Sequence, residues 1–103
     1  MILVRDVFRL KFGKAKEARA LMKEGLRIAA KAGFSSQRQL VDLTGQFYTL
    51  VLESTHASLA AWESAMSDTG DAQVAKEWGA WYERFKPLVD SGHREVFTVL
   101  DEG

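Results

Sequence analysis

The 103-residue sequence has no cysteine, which excludes disulfide bridges, thiolate metal sites and a cysteine nucleophile. Its stability must therefore come from packing. It also has no net charge, because Lys plus Arg and Asp plus Glu number 14 each. No long-range field draws such a chain to nucleic acid or to an anionic membrane surface. We accordingly expect neither nucleic acid nor membrane as a partner.

Long hydrophobic runs are missing as well. No stretch approaches the roughly 18 apolar residues of a membrane span, and Arg5 and Asp6 interrupt the apolar N-terminus before a signal-peptide core forms. We therefore expect a cytoplasmic location. The 47% of hydrophobic residues is enough for a core, and the length suits one domain over residues 1–103.

The first half of the chain shows one strand period and one helix period. Residues 2–12 alternate between apolar and charged side chains, as in a half-buried strand. Ala15–Ala32 has apolar residues at three- and four-residue spacing, which predicts an amphipathic helix closed by Gly33. Two β-rich runs joined by Gly45-Gln46 follow, and they predict a hairpin of Arg38–Thr44 with Phe47–Glu53.

The second half predicts two helical segments. Leu59, Trp62 and Met66 recur at helical spacing in an alanine-rich segment, whose first turn is capped by Ser54 or Thr55. Thr69-Gly70-Asp71 then interrupts the helical pattern. Asp71 is predicted to cap a further helix that ends at Pro87, the one proline of the chain.

The chain closes with a predicted turn at Ser91-Gly92-His93 and a strand over Arg94–Leu100. The full order is strand, helix, strand, strand, helix with a helical extension, strand. This is the split βαβ arrangement of the ferredoxin-like fold. We therefore predict an α+β domain with a four-stranded antiparallel sheet, helices on one face, and the hairpin and C-terminal strands at the edges.

The sheet face away from the helices is predicted to be partly apolar. Leu3 and Val7 of the first strand point to it, together with Phe47 or Tyr48 and Val51 or Leu52 of the third strand. Water is a poor cover for such a surface, and two-fold self-association is the common way to bury it. We therefore predict a homodimer.

Three segments carry a family resemblance. All three resemble NIPSNAP-like members of the dimeric α/β-barrel superfamily. Leu3–Leu10 with Gly13-Lys14 resembles the first strand of these proteins, Leu50–Glu63 their third strand and the helix after it, and Trp81–Glu95 their last helix and turn. The resemblance implies that two sheets form a barrel in a homodimer. The superfamily includes cofactor-independent monooxygenases, haem-binding and haem-degrading enzymes, isomerase-like proteins and members without known activity, so fold alone does not assign a reaction.

His56 is the candidate catalytic residue. It falls where a predicted strand meets a helix, and its imidazole titrates near neutral pH, so it can serve as an acid or a base at the mouth of a cleft. The alternative is a surface or capping histidine. We predict no cofactor and no metal site: the two histidines lack metal-ligand spacing, and nothing in the sequence selects haem on a single axial histidine.

Candidate ligand-binding residues are aromatic or cationic. Four aromatic residues could line a pocket, namely Trp62, Trp78, Trp81 and Tyr82. Val74, Trp78, Tyr82 and Phe85 fall on one helical stripe and are predicted to be core, which leaves Trp81 beside the stripe as the freer side chain.

Two arginines are predicted on the open side of the sheet. Arg5 and Arg9 could bind a carboxylate inside the barrel, pair with acidic residues across the dimer, or be solvated. Tyr48 adds a hydroxyl to the same space in one of the two possible strand registers.

Three functions follow from these residues. The first is a homodimeric domain that binds a small aromatic or carboxylate metabolite, with Arg5, Tyr48, Trp62 and Trp81 as binding residues. The second is a cofactor-independent monooxygenase or isomerase-type enzyme with His56 as acid or base inside an aromatic cage. The third is a structural dimer without a ligand.

Overall fold

The computed structural model describes residues 1–34, 36–67 and 71–100. Four strands and three α-helices follow the order β1 (Ile2–Leu10), α1 (Ala15–Lys31), β2 (Arg38–Val41), β3 (Thr49–His56), α2 (Leu59–Ser67), α3 (Ala72–Phe85) and β4 (Val89–Thr98). A single 3-10 turn, Lys86–Leu88, connects α3 to β4. None of the described helices is long and apolar enough to cross a bilayer.

The strands form one antiparallel sheet in the order β2-β3-β1-β4. The hairpin strand β2 and the C-terminal strand β4 are therefore the edges. Helices α1 and α3 pack on one face, and their apolar side chains share a core with Leu10 and Leu50 of the sheet. This arrangement confirms the predicted ferredoxin-like α+β fold.

The opposite sheet face carries none of the described helices, and we call it the open face. Strand register assigns its side chains, because directly paired residues point to the same side. They are Leu3, Arg5, Val7, Arg9, Arg38, Leu40, Thr49, Val51, Glu53, Thr55, Ser91, His93, Glu95 and Phe97.

Trp81 joins α3 to α1. It is 4% exposed, and its Nε1 donates a hydrogen bond to the carbonyl oxygen of Leu21 at 2.7 Å. Gly25 provides the room, since a Cβ there would lie 2.7 Å from Trp81 Cε2. The buried face of α3 is Val74, Trp81 and Phe85, while Trp78 and Tyr82 are exposed.

The predicted core stripe of α3 is therefore wrong at two positions, and Trp81 is the least free of its aromatic residues. Spacings of three and four residues permit the predicted stripe through Trp78 and Tyr82 and also the observed one through Trp81. The choice is made by α1, where Gly25 leaves room for the indole of Trp81 and the Leu21 carbonyl oxygen accepts its N–H.

The hairpin is confirmed, but its connection is longer than predicted. Strand β2 ends at Val41 and β3 begins at Thr49, because the Asp42 side chain accepts the Thr49 N–H at 2.9 Å and starts a seven-residue loop. Gly45 adopts φ +102° within it, a conformation that suits glycine. Since β3 continues to His56, Ser54 and Thr55 do not cap α2; Ser58 Oγ accepts from Ala61 N at 3.1 Å instead.

The predicted turn at residues 91–93 is also wrong, because β4 begins at Val89 and these residues pair with β1. Gly92 allows a close contact here, because a Cβ would lie 3.1 Å from Phe8 Cδ1 and 3.2 Å from the Val7 carbonyl oxygen. The other helix signals are confirmed. Gly33 follows the end of α1 with φ +101°, and the Asp71 carboxylate accepts from Gln73 N and Val74 N. Thr69-Gly70 lies outside the described residues.

Candidate functional site

A row of alternating charges crosses the open face. Arg38, Glu53, Arg5 and Glu95 stand side by side on β2, β3, β1 and β4. Arg38 Nε lies 2.6 Å from Glu53 Oε1, Arg5 Nε 3.3 Å from Glu53 Oε2, and Arg5 Nη1 3.5 Å from Glu95 Oε1. His93 Nε2 continues the row at 3.2 Å from Glu95 Oε2. The two arginines and two glutamates of the row balance in charge.

Arg5 therefore lies on the open face as expected, and it pairs with carboxylates of its own chain. Below the charged row the face is apolar: Val7 and Val51 stand opposite each other, and Leu40 pairs with Val51. This register settles one open alternative, since Val51 points to the open face while Leu52 packs against the core.

Tyr48 lies on the helix side of the sheet. Its ring packs against the core and stands 4.7 Å from the Phe12 ring, so its hydroxyl does not share the space of Arg5. Of the two alternatives for Tyr48, the structure has the one in which the side chain points away from Arg5. A left-handed backbone conformation at Tyr48, with φ +58°, ends the alternation on which that prediction relied.

A groove of about 400 Å³ runs between the end of α3 and the first half of β4, and we call it the α3–β4 groove. Its walls combine aromatic rings with charged side chains, among them Asp6, Phe8, Tyr82, Phe85, Lys86 and Arg94. Lys86 Nζ stands 5.8 Å from the Tyr82 ring centroid and 2.9 Å from Glu83 Oε2. Its hydrogen bond with Glu83 raises the pKa of Lys86.

Arg94 is the best-held polar group of this groove. Its Nε and Nη2 donate to Asp6 Oδ1 and Oδ2 at 2.5 and 3.3 Å. Its guanidinium carbon lies 5.3 Å from the ring centroid of Trp62, a cation–π contact that brings α2 over the sheet. Among the described residues nothing bonds to Nη1, because the Asp6 bonds use only one side of the fork, so the Nη1 donors can meet a ligand.

His56 stands at the end of β3, in a different cleft of about 330 Å³ lined by Gly33 and several alanines. Its Nε2 and Ser54 Oγ are hydrogen-bonded at 3.0 Å, and the Phe34 ring meets it edge-on at 5.2 Å. Burial lowers the pKa of His56 from its ordinary value of 6.5, because a charged imidazole loses hydration there. The imidazole is therefore neutral at pH 7.

We expect His56 to make the protein less stable in mild acid. Its pKa is lower in the folded than in the unfolded chain, so the unfolded chain binds the proton more readily. The stabilising contribution is complete above pH 6.5 and is lost as the pH falls through 6.5 toward the folded-state pKa. Urea unfolding of wild type and His56→Gln at pH 7.5 and 5.5 measures this: the loss in acid should be smaller in the variant. An equal loss in both proteins would contradict it.

The five predicted site residues do not meet in one place. Arg5 is on the open face, Trp81 is in the core, Tyr48 is beside Phe12, and His56 is in the alanine-lined cleft. Only Trp62 adjoins the α3–β4 groove, through Arg94. Within the described ranges, no three histidine or acidic side chains are grouped to hold a metal ion.

Sequence reasoning missed Asp6 and Arg94 as site residues. Asp6 gave a signal, because it is the one charged residue on the apolar side of the first strand. A carboxylate on a helix-covered face needs a cationic partner. That partner, Arg94, is 88 positions away in sequence, and pairing of β4 with β1 places it directly opposite.

Solved structures share this fold. A NIPSNAP family protein from Agrobacterium tumefaciens matches 97% of this chain and 93% of its own at 22% identity, with a TM-score of 0.81. An uncharacterized NIPSNAP domain protein from Burkholderia xenovorans matches 97% and 95% at 17% identity, with a TM-score of 0.83. SnoaB, a cofactor-independent oxygenase from Streptomyces nogalater, matches 98% and 94% at 14% identity, with a TM-score of 0.68.

No protein-family model matches the sequence, and no curated protein matches it. Identities below 25% establish the fold and leave the activity open. At the level of fold, the resemblance inferred from the sequence is confirmed: the chain is NIPSNAP-like, and it shares its architecture with a cofactor-independent oxygenase.

Proposed function

We propose that this chain is a NIPSNAP-like member of the dimeric α/β-barrel superfamily that works as a homodimer and binds a small aromatic carboxylate in its α3–β4 groove. The observation that carries the proposal is Arg94. It is oriented by Asp6, backed by Trp62, and set in the wall of a groove that Phe8, Tyr82 and Phe85 also line.

The groove suits such a ligand in size and chemistry. A volume of about 400 Å³ lies within the range of small-molecule sites, roughly 300–1,000 Å³. The aromatic walls offer flat apolar surface, and the free donors of Arg94 offer paired hydrogen bonds to a carboxylate. Lys86 adds a second positive charge at the same groove.

Dimerisation is supported by the shape and chemistry of the open face. The molecule measures 39 × 37 × 18 Å, so the sheet is a broad face on a thin two-layer body. Its apolar residues include Leu3, Val7, Leu40 and Phe97, and its charged row is internally neutral. A two-fold contact between such faces buries apolar surface and leaves each carboxylate of the row beside an arginine.

Binding is favoured over catalysis by the position of His56. The enzyme hypothesis placed this histidine inside an aromatic cage, whereas Phe34 is the one aromatic ring that contacts His56 among the described residues and the α3–β4 groove does not include His56. The oxygenase alternative thus depends on likeness of fold alone. Cytoplasmic location and independence from cofactors stay predictions of the sequence.

Binding of 1-naphthoate, a fluorescent aromatic carboxylate, tests the proposal. Arg94→Gln should weaken binding about 10- to 100-fold, because a hydrogen bond to a charged group contributes about 1.5–3 kcal/mol. Asp6→Asn should also weaken binding, since the variant removes the carboxylate that orients Arg94. Arg84→Gln is the matched control: this arginine is on α3 and pairs with Glu24 outside the groove.

Native mass spectrometry of the purified protein completes the test. A dimer that carries added mass would support both parts of the proposal. If wild type does not bind 1-naphthoate and carries no small molecule, the structural-dimer alternative takes its place. If 1-naphthoate is converted to a product, and His56→Ala abolishes the conversion, the enzyme alternative is correct.

A further inference from the structure

The arginines of the open face outnumber its acidic residues by one, so one positive charge is not neutralised. The face carries three arginines and two glutamates. Arg5 and Arg38 each have a glutamate within 4.0 Å, and both glutamates are used in these contacts. Arg9 has no carboxylate within this distance in the part of the chain that the structure describes.

Arg9 also has unused hydrogen-bond donors. Its Nε and Nη1 are buried and have no partner among residues 1–34, 36–67 and 71–100. Arg5 Nε is also without a hydrogen bond, but it lies 3.3 Å from Glu53 Oε2, so its charge is compensated. Buried donors on a cation are costly unless an acceptor, best an anionic one, meets them. Arg9 is thus the uncompensated cation of this face.

The neighbours of Arg9 define what fits there. Register places the Thr49 side chain on one flank and Ser91 on the other, while Val7 and Val51 form the adjacent apolar surface. Thr49 Oγ1 already donates to the Gln46 carbonyl oxygen, so Arg9 and Ser91 are the donors toward a ligand. The negative end of a ligand would therefore meet Arg9, and an aliphatic body would cover the half-buried Val7 beside the buried Val51.

We propose that Arg9 binds the carboxylate of a small branched aliphatic acid on the open face, between Thr49 and Ser91. This site is on the opposite side of the sheet from Arg94. It rests on the charges and register of the open face alone, so it does not require that the α3–β4 groove bind a ligand. In a face-to-face dimer the Arg9 site lies in the interior. Two uncompensated guanidinium groups would then be buried together, and binding of an anion would neutralise them.

Isobutyrate, a branched aliphatic carboxylate, is the probe. Nitrogen-15 NMR of the full chain would follow the Arg9 side-chain Nε–H signal while sodium isobutyrate replaces sodium chloride at constant ionic strength. The signal should shift saturably, and Arg9→Lys identifies it by its loss. The affinity for isobutyrate can also be measured from the amide signals of Val7 and Val51. It should be at least about tenfold lower in Arg9→Gln than in the wild type. It should be unchanged in Arg19→Gln, an exposed arginine of α1.

Three outcomes would overturn the inference. The first is an Arg9 signal that responds to chloride as it does to isobutyrate. The second is binding that Arg94→Gln abolishes and Arg9→Gln preserves, which would assign the carboxylate to the α3–β4 groove and leave the proposed function standing. The third is an Arg9 signal that changes on dilution of the protein and ignores isobutyrate, which would show that a carboxylate of the second copy occupies the site.

Discussion

Replacement of Trp81 by alanine is expected to lower the free energy of unfolding by about 3–5 kcal/mol. The side chain is 4% exposed and fills the space beside Gly25, so its removal leaves a cavity between α1 and α3. The Leu21 carbonyl oxygen also loses the hydrogen bond from Nε1. Small domains are typically stable by only about 5–15 kcal/mol, so this loss would threaten folding. Urea unfolding followed by circular dichroism, at one protein concentration, measures it.

Trp78→Ala is the matched control, because Trp78 is on the same helix and its ring stacks on Trp81 at 5.0 Å. Trp78 is 39% exposed, so its loss leaves little cavity and should cost clearly less. Trp81→Phe should recover part of the stability by refilling the space. Equal losses in the two alanine variants would mean that Trp81 is not the anchor between the helices.

Val7→Lys is expected to convert the proposed dimer into a folded monomer. Val7 stands at the middle of the open face, in register with Val51 and His93. An ammonium group there would lose its hydration in the dimer beside the uncompensated Arg9, and the two-fold axis would bring its copy close. We expect the dimer to be weakened by about 3–5 kcal/mol, which raises its dissociation constant more than a hundredfold.

Sedimentation velocity over a range of protein concentrations measures this change. Leu59→Lys is the control, since Leu59 is 52% exposed on α2 and lies outside the open face. That variant should keep the dimer of the wild type. A wild-type protein that is monomeric at every concentration would refute the open-face interface, and so would a Val7→Lys dimer of unchanged affinity.

Much of the fold could be predicted because its signals are local. The alternation along β1 follows from the two-residue period of a strand, and α1 follows from its three- and four-residue spacing. Gly33 and Asp71 mark helix ends because each meets a need of the adjacent backbone. Errors arose where a local signal was ambiguous: Gly92 was interpreted as a turn residue, although it lies in a strand and is packed closely against Phe8 of the neighbouring strand.

Less of the candidate site could be predicted. Arg5 was placed on the correct face, and Trp62 adjoins the groove, but Trp81 was assigned to a ligand when it belongs to the core. Periodicity identifies which residues of a helix share a side. It does not identify which side the neighbouring helix covers, and that depends on Gly25 and Leu21 of α1.

The sequence by itself determined the α+β class and the order of elements, because periods and caps depend on residues a few positions apart. The NIPSNAP-like fold was indicated by the resemblance of three segments to that family. Only the tertiary structure decided that Asp6 holds Arg94 over Trp62 and that Glu53 joins Arg5 to Arg38. It also decided that Arg9 has no carboxylate partner among the described residues. The physical reason is strand register: it brings together side chains up to 88 residues apart, and a shift of one residue would turn each of them to the other face.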